Sequence, residues 1–274
     1  RITNFYGNFF ICGTDLLALP NFNTDAVYGF DLAHEEQTLT ATHVTVQTAL
    51  LYTSSDGERR IRVLTQALPV SSLISEVVAS IDTDSCIALL AKQGLDVATK
   101  SSLDNARMRL QQVCVEIIRA GKQGDKRTVS GYSVPPPGGH MGGAESEERP
   151  IPENLERLPL LTLAMMKNVA FRGGTDVHPD ERVQSHHLLN GLFVADTTLF
   201  VYPRLFAIHE MDGKAGLPVD VNENLPEDEV AGRDRVRLPA TLNLSVDRLS
   251  SNGVYLLDNG VEMYLWVGRT ANMN

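Results

Sequence analysis

The hydrophobic period of this chain changes at Pro69, and that change limits the folds open to it more than any other feature. Before it, Phe5 to Cys12, Ala26 to Ala33, Thr42 to Thr53 and Arg59 to Leu68 are rich in Val, Thr, Tyr and Phe, the residues that suit a pleated surface. Turn chemistry separates them: Pro20-Asn-Phe-Asn-Thr-Asp25 breaks the first pair, and Ser54-Ser-Asp-Gly57 joins the last two through a tight hairpin. An antiparallel β-sandwich portion is expected over residues 1–69.

After Pro69 the period becomes about 3.6. Val70 to Ser80 and Asp84 to Val97 each read as a helix, the second burying Ile87, Leu90 and Ala91 and weakened by Gly94. Ser101-Ser-Leu-Asp104 reads as an N-cap opening a helix in which Leu103, Ala106, Leu110, Val113 and Ile117 recur at steps of three and four. Residues 121–152, with Pro135-Pro-Pro-Gly-Gly139 and Glu145-Ser-Glu-Glu148, have too little apolar content to offset ordering entropy and are expected to be a disordered loop. Helices resume over Asn154 to Phe171, with Pro159 tolerable only in the first turn, and over Pro179 to Leu189. Thr197 to Ile208 is an apolar run of open type, interrupted by Pro203. Residues 70–210 thus form an all-α domain, 211–237 an acidic linker or insertion, and 238–274 the first strands of another domain. In the last, Leu238 to Val246 reads as a strand, and Asn259-Gly260 between Gly253 to Asp258 and Val261 to Trp266 signals a type I′ hairpin. The fold class is α+β and multidomain.

Composition removes several functions. With 24 basic and 34 acidic side chains the formal charge is -10, which repels polyanions, and nucleic acid is not an expected partner. Cys12, Cys86 and Cys114 are odd in number, widely spaced and without a CxxC, so they encode neither a disulfide framework nor a zinc ribbon. No apolar run approaches a membrane span; the densest, Leu158 to Phe171, is interrupted by Pro159, Thr162, Lys167 and Asn168. The opening Arg1-Ile-Thr-Asn-Phe reads as an internal start within a longer protein.

Candidate chemistry meets geometric objections. The neighbours His186 and His187 point about 100° apart on a helix and do not share a metal ion. Neither Pro137-Gly-Gly-His nor Arg172-Gly-Gly-Thr has the glycine spacing of a phosphate-binding loop. Cys86 and Cys114 lie within helix patterns that assign them to packing, and the acidic clusters Glu145 to Glu148 and Glu227-Asp-Glu229 lie in polar, solvated stretches. One charged feature has chemical reach: in Arg59-Arg-Ile-Arg62 the strand period puts Arg60 and Arg62 on one face, where they could hold a carboxylate or a lipid phosphate, pair with carboxylates of another domain, or be solvated.

Several blocks resemble the cargo-adaptor subunits of the COPII inner coat: Gly7-Asn-Phe-Phe10, Thr14-Asp-Leu-Leu-Ala-Leu-Pro-Asn21, Ala49-Leu-Leu-Tyr-Thr-Ser-Ser55 and Gly57-Glu-Arg-Arg-Ile-Arg-Val63 are similar to that family's β-sandwich. Leu89-Leu-Ala-Lys92, Ser101 to Arg107, Leu160 to Phe171, Asp180-Glu-Arg182 and Tyr202-Pro-Arg-Leu205 resemble its helical domain, and Asp247-Arg-Leu-Ser250 with Tyr255 to Gly268 resembles the opening of its gelsolin-like domain. The resemblance implies a non-catalytic scaffold that selects cargo by binding sorting signals for endoplasmic reticulum to Golgi transport. It is expected to be cytoplasmic and peripheral on endoplasmic reticulum exit sites and vesicles. The implied partners of the full-length protein are a GTPase-activating inner-coat subunit, the coat-recruiting small GTPase and cargo membrane proteins. No cofactor is implied for this stretch; zinc belongs to an upstream zinc-finger module, and the main coat contact belongs to an upstream trunk. The family's pocket for acidic signals implies one wall here, at Leu51, Arg60 and Arg62. The alternatives are the GTPase-activating sister subunit, which shares the architecture, and an actin-binding gelsolin relative, which has no such β-sandwich.

Overall fold

Backbone geometry at Gly7 sets the first feature of the fold. Its φ of +141° and the Tyr28 ring carbon that lies 2.7 Å from where a Cβ would stand leave room for glycine alone. The expected single strand from Phe5 to Cys12 is therefore two, β1 (Ile2–Tyr6) and β2 (Phe10–Ile11). The computed structural model describes residues 1–271 except 14, 21, 36–37, 130–150, 221–229 and 232–234, with backbone alone at 123–129 and 231. The chain divides into two compact units, Arg1–Val194 and Ala195–Asn274.

In the first unit β1 pairs antiparallel with β4 (Gly29–Leu32), and β2 with the short β3 (Leu17–Ala18). β5 (His43–Thr53) and β6 (Arg59–Pro69) form a long antiparallel ribbon, closed by a bond from the Gly57 N–H to the Ser54 carbonyl with Gly57 at φ +83°.

The helices follow. α1 (Ile74–Ala79) starts later than the period suggests, because the Ser71 hydroxyl accepts from the Leu73 N–H and holds the chain in a turn. α2 (Thr83–Lys100) is capped by Asp82, whose carboxylate accepts from the Ser85 N–H at 2.9 Å and is held below its usual range by the hydrogen bonds of Ser85. α3 (Leu103–Val129) opens on Ser102, which accepts from Asn105 N–H at 3.2 Å. A 3₁₀ turn (Glu153–Leu155) leads into α4 (Leu158–Lys167), where Pro159 sits in the first turn, and α5 (Pro179–Gly191) completes the unit.

Two of the sequence expectations change here because each glycine packs against a residue distant in the sequence. Gly94 closes a gap: a Cβ there would lie 3.0 Å from Phe171 Cε1 and 3.2 Å from Leu110 Cδ2, so the absent side chain lets α2 approach α3 and the fully buried Phe171. Gly121 is also buried, 2.9 Å from Pro152 Cγ by the same measure, and α3 runs through it to Val129 instead of ending where a loop is expected at 121. The rest of that expected loop, 130–150, lies outside the described residues.

Polar groups tie the sheet β1–β4 to α2 within this unit. The Tyr6 hydroxyl donates to Asp31 at 2.6 Å, and Gln93 of α2 donates to the other oxygen of Asp31 at 3.1 Å. Burial, then the Asp31 carboxylate, pushes the Tyr6 phenol up to about 12. Lys92, one residue away, is 2% exposed. Its ammonium donates to the carbonyls of Leu189 and Asn190 in the last turn of α5, a turn with no basic residue of its own.

The second unit contains α6 (Val194–Val201, all but its first residue) and a four-stranded antiparallel sheet in the order β10, β7, β11, β12. Its strands are β7 (Arg204–Ala207), β10 (Thr241–Leu242), β11 (Val254–Asp258) and β12 (Met263–Val267). The open run Thr197 to Ile208 is thus helix and then strand, with Pro203 between them. Within 211–237, β8 (Val230–Ala231) pairs with β9 (Val236–Arg237). The expected strand Leu238 to Val246 shrinks to β10, and a 3₁₀ turn takes over at Val246.

The Asn-Gly hairpin forms with a different turn. Asp258 pairs with Met263, which leaves Asn259 to Glu262 as the loop, and Gly260 alone has positive φ, +79°, where a type I′ turn needs two such residues. Asn259 Oδ1 accepts from the Val261 and Glu262 N–H groups at 2.9 and 2.6 Å, so its side chain builds the longer turn.

Two measurements test these constraints. Burial pushes the Lys92 amine down to about 8 from 10.5, so between those values the unfolded chain binds a proton the folded one does not, and stability rises with pH. Urea unfolding of the first unit followed by far-ultraviolet dichroism is expected to show a gain of about 2 kcal/mol from pH 7.5 to pH 10 over that of Lys92→Met. Gly7→Ala is expected to lose about 1–3 kcal/mol, with a changed near-ultraviolet tyrosine spectrum as Tyr28 gives way.

Candidate functional site

The register of the β5–β6 ribbon decides what its arginines can do. Tyr52 stands opposite Arg60, Leu51 opposite Ile61 and Leu50 opposite Arg62. Directly opposed residues share a face, so Arg60 and Arg62 lie side by side with Tyr52 and Leu50, while Leu51 lies on the reverse face with Ile61 and Val63. Of the three sequence-derived site residues, two are brought together and the third is placed across the ribbon. Counting pairs back from the Ser54–Gly57 turn would have given this from sequence alone.

The arginines differ in commitment. Arg60 donates to Glu58 through Nε at 3.1 Å and Nη2 at 2.6 Å, and the pair is open to water, with side chains 49% and 66% exposed. Hydrogen bonding to Glu58, then to Tyr52, raises the Arg60 guanidinium further above its usual range. Such an exposed pair exchanges readily with solvent and with an incoming carboxylate. Arg62 is exposed as well. The ribbon is apolar on both sides between its charges, with Leu51, Ile61, Val63 and Leu64 each more than half exposed.

A second surface had no signal in the strand pattern. Where the chain turns at Gly7, an open pocket of about 500 Å³ forms between the start of β2 and the end of β3, framed by Asn8, Phe9, Phe10, Leu19 and Pro20. Phe9 of this pocket belongs to a row of rings, Phe5, Phe9, Tyr28 and Phe22, that follow one another at centroid spacings of 6.0 to 6.2 Å. The Gly7-Asn-Phe-Phe10 block supplies most of the rim, and a glycine before paired aromatics is the feature that could have marked it.

The remaining candidates are structural. His186 places Nε2 3.0 Å from the Ala170 carbonyl and packs against the Phe171 ring, while His187 is exposed. Arg182 donates to the carbonyls of Val169, Ala170 and Arg172, fastening the segment that contains Arg172-Gly-Gly-Thr175. Cys114 is buried and Cys86 half-buried; burial, then Cys114, pushes the Cys86 thiol up to about 11, away from nucleophilic chemistry at neutral pH. Among the described residues no three His, Cys, Asp or Glu side chains form a group that could hold a metal ion, and no helix is long and apolar enough to cross a membrane. The segments Pro137 to His140, Glu145 to Glu148 and Glu227 to Glu229 lie outside the described residues.

Comparison with known proteins accounts for nearly the whole chain. Residues 1–71 match the Sec23/Sec24 beta-sandwich domain, 82–199 the Sec23/Sec24 helical domain and 235–274 the gelsolin repeat. The chain is 36% identical over 271 residues to "Protein transport protein sec24" of Aspergillus niger, covering 99% of this chain and 27% of that protein. The corresponding proteins of Aspergillus fumigatus and Podospora anserina match at the same identity over 27% and 26% of their lengths. The chain thus spans about a quarter of the curated relatives. The human COPII-coat protein Sec24c superposes with a TM-score of 0.77 at 23% identity, over 99% of this chain and 31% of that one, and shares the fold. With its β-sandwich, helical and gelsolin-like parts in the order of those relatives, the chain belongs to the Sec23/Sec24 family.

Proposed function

We propose that this chain is part of a COPII coat subunit that selects cargo for endoplasmic reticulum to Golgi transport by binding sorting signals, and that it does so as a scaffold without catalysing a reaction. The observation that carries this reading is the 36% identity, sustained along 271 residues, to proteins named for protein transport. The same reading makes the full-length protein peripheral on cytoplasmic membranes at endoplasmic reticulum exit sites. There its partners are the GTPase-activating inner-coat subunit, the coat-recruiting small GTPase and cargo membrane proteins; zinc belongs to a module outside this chain.

The two surfaces suit two kinds of signal. Arg60 and Arg62, adjacent on one face, favour an acidic segment through charge-assisted hydrogen bonds, with Glu58 as the carboxylate it displaces. Leu51, on the reverse face, contributes an apolar contact only to a segment that passes around the ribbon. The Phe9 and Phe10 pocket suits an apolar side chain carried on an extended peptide.

Titration of the full chain with acidic peptides at low salt, read by fluorescence anisotropy, tests the ribbon. Arg60→Ala with Arg62→Ala is expected to weaken binding roughly tenfold and flatten its salt dependence. Leu51→Ala is expected to weaken it less and leave the salt dependence intact. Unchanged affinity in the double arginine variant removes the ribbon from signal recognition.

A further inference from the structure

The pocket at Gly7 is not held by its own hairpin alone. Asn8, on its rim, accepts at Oδ1 a hydrogen bond of 2.8 Å from Nδ2 of Asn190, 182 residues later in the chain. Asn190 lies in the last turn of α5, and its backbone carbonyl accepts in turn from the Lys92 ammonium of α2, which also reaches the Leu189 carbonyl. The Lys92 stem passes beneath the sheet β1–β4, with Cδ 3.6 Å from the position of a Cβ on Gly29. A buried cation between α2 and α5 therefore fixes the backbone from which Asn190 reaches the pocket.

β2 and β3 pair over two residues each, and Asn8 follows a glycine of positive φ, so local bonding alone leaves the rim weakly determined. From these contacts we infer that Asn190 and Lys92 are positioning residues for the pocket: the helical part of the first unit sets the placement of Asn8, Phe9 and Phe10, and so its affinity for an apolar side chain. This rests on the pocket-binding reading above. It adds that the signal pocket and the helices form one mechanical assembly, although no helical residue is among those that frame it.

The test uses the full chain with 4-fluorophenylalanine placed at position 10 and the probe N-acetyl-Leu-Phe-Leu-amide, with N-acetyl-Gly-Gly-Gly-amide as control. Asn190→Ala is expected to shift the fluorine resonance of the free protein and to weaken the Leu-Phe-Leu probe about fivefold, the worth of one hydrogen bond. The melting temperature of the first unit is expected to fall by no more than about 2–4 °C, the shift that one hydrogen bond is worth in a unit of this size. In an Asn8→Ala background the same substitution is expected to add nothing, a signature that general loosening would not give. Lys92→Met should act in the same direction; if it does not fold, Asn190→Ala decides the matter by itself. An unmoved fluorine resonance in Asn190→Ala overturns the inference whether or not the probe binds. Failure of the probe to bind the unmodified chain overturns the pocket-binding reading, and the fluorine response then still decides the positioning role.

Discussion

A single buried ammonium joins α2 to the end of α5 in the first unit. Lys92 is 2% exposed, and a lone cation in such a place is costly unless its hydrogen bonds are supplied. The carbonyls of Leu189 and Asn190 supply them, at the negative end of a helix without a basic residue in its last turn. The need runs both ways: α5 requires a donor at that end, and α2 requires an acceptor for a charge it carries on its buried side. Because Gln93 next to it holds Asp31, and Asp31 holds Tyr6, the same turn of α2 also fixes the sheet β1–β4. The sheet β1–β4 and the end of α5 are thereby both tied to α2 through two adjacent residues.

Much of this architecture was legible in local chemistry. The switch of period at Pro69, the start of α3, whose cap falls on Ser102 one residue after the expected Ser101, the proline confined to the first turn of α4 and the turn at Ser54 to Gly57 all depend on near neighbours, and sequence displays near neighbours directly. What was not legible depends on distant ones. Gly94 reads as a weak point in a helix until Phe171 is found against it, and Gly121 reads as a helix end until Pro152 is found there. Asn259-Gly260 carries the signal of a short turn, but the Asn259 side chain bonds forward to two N–H groups and makes a longer one. The resemblance to coat adaptors reached the family from whole blocks of sequence where no single motif encoded chemistry.

The candidate site was legible by half. Alternation along β6 placed Arg60 beside Arg62 correctly, whereas Leu51 required the cross-strand register, and the pocket at Gly7 required a backbone conformation that alternation does not express. A recognition surface of this type asks for exposure and complementarity rather than tuned acidity, and neither leaves a conserved-looking spacing in a single sequence. The ribbon and the pocket differ in support as well: the ribbon's side chains stand on paired strands, while the pocket borrows its footing from helices far along the chain.

Trp266 is the chain's one tryptophan, and it stands on β12 in the second unit, its ring 5.5 Å from that of the buried Tyr255. Its indole is partly open to water, at 41% exposure, while Tyr6, Tyr28 and Tyr52 all belong to the first unit. Intrinsic emission in the tryptophan band therefore originates in the gelsolin-like part, where the Tyr255 ring is a donor at close range. The β-sandwich and helical part stays dark at those wavelengths, so the chain carries a built-in optical separation of its two units.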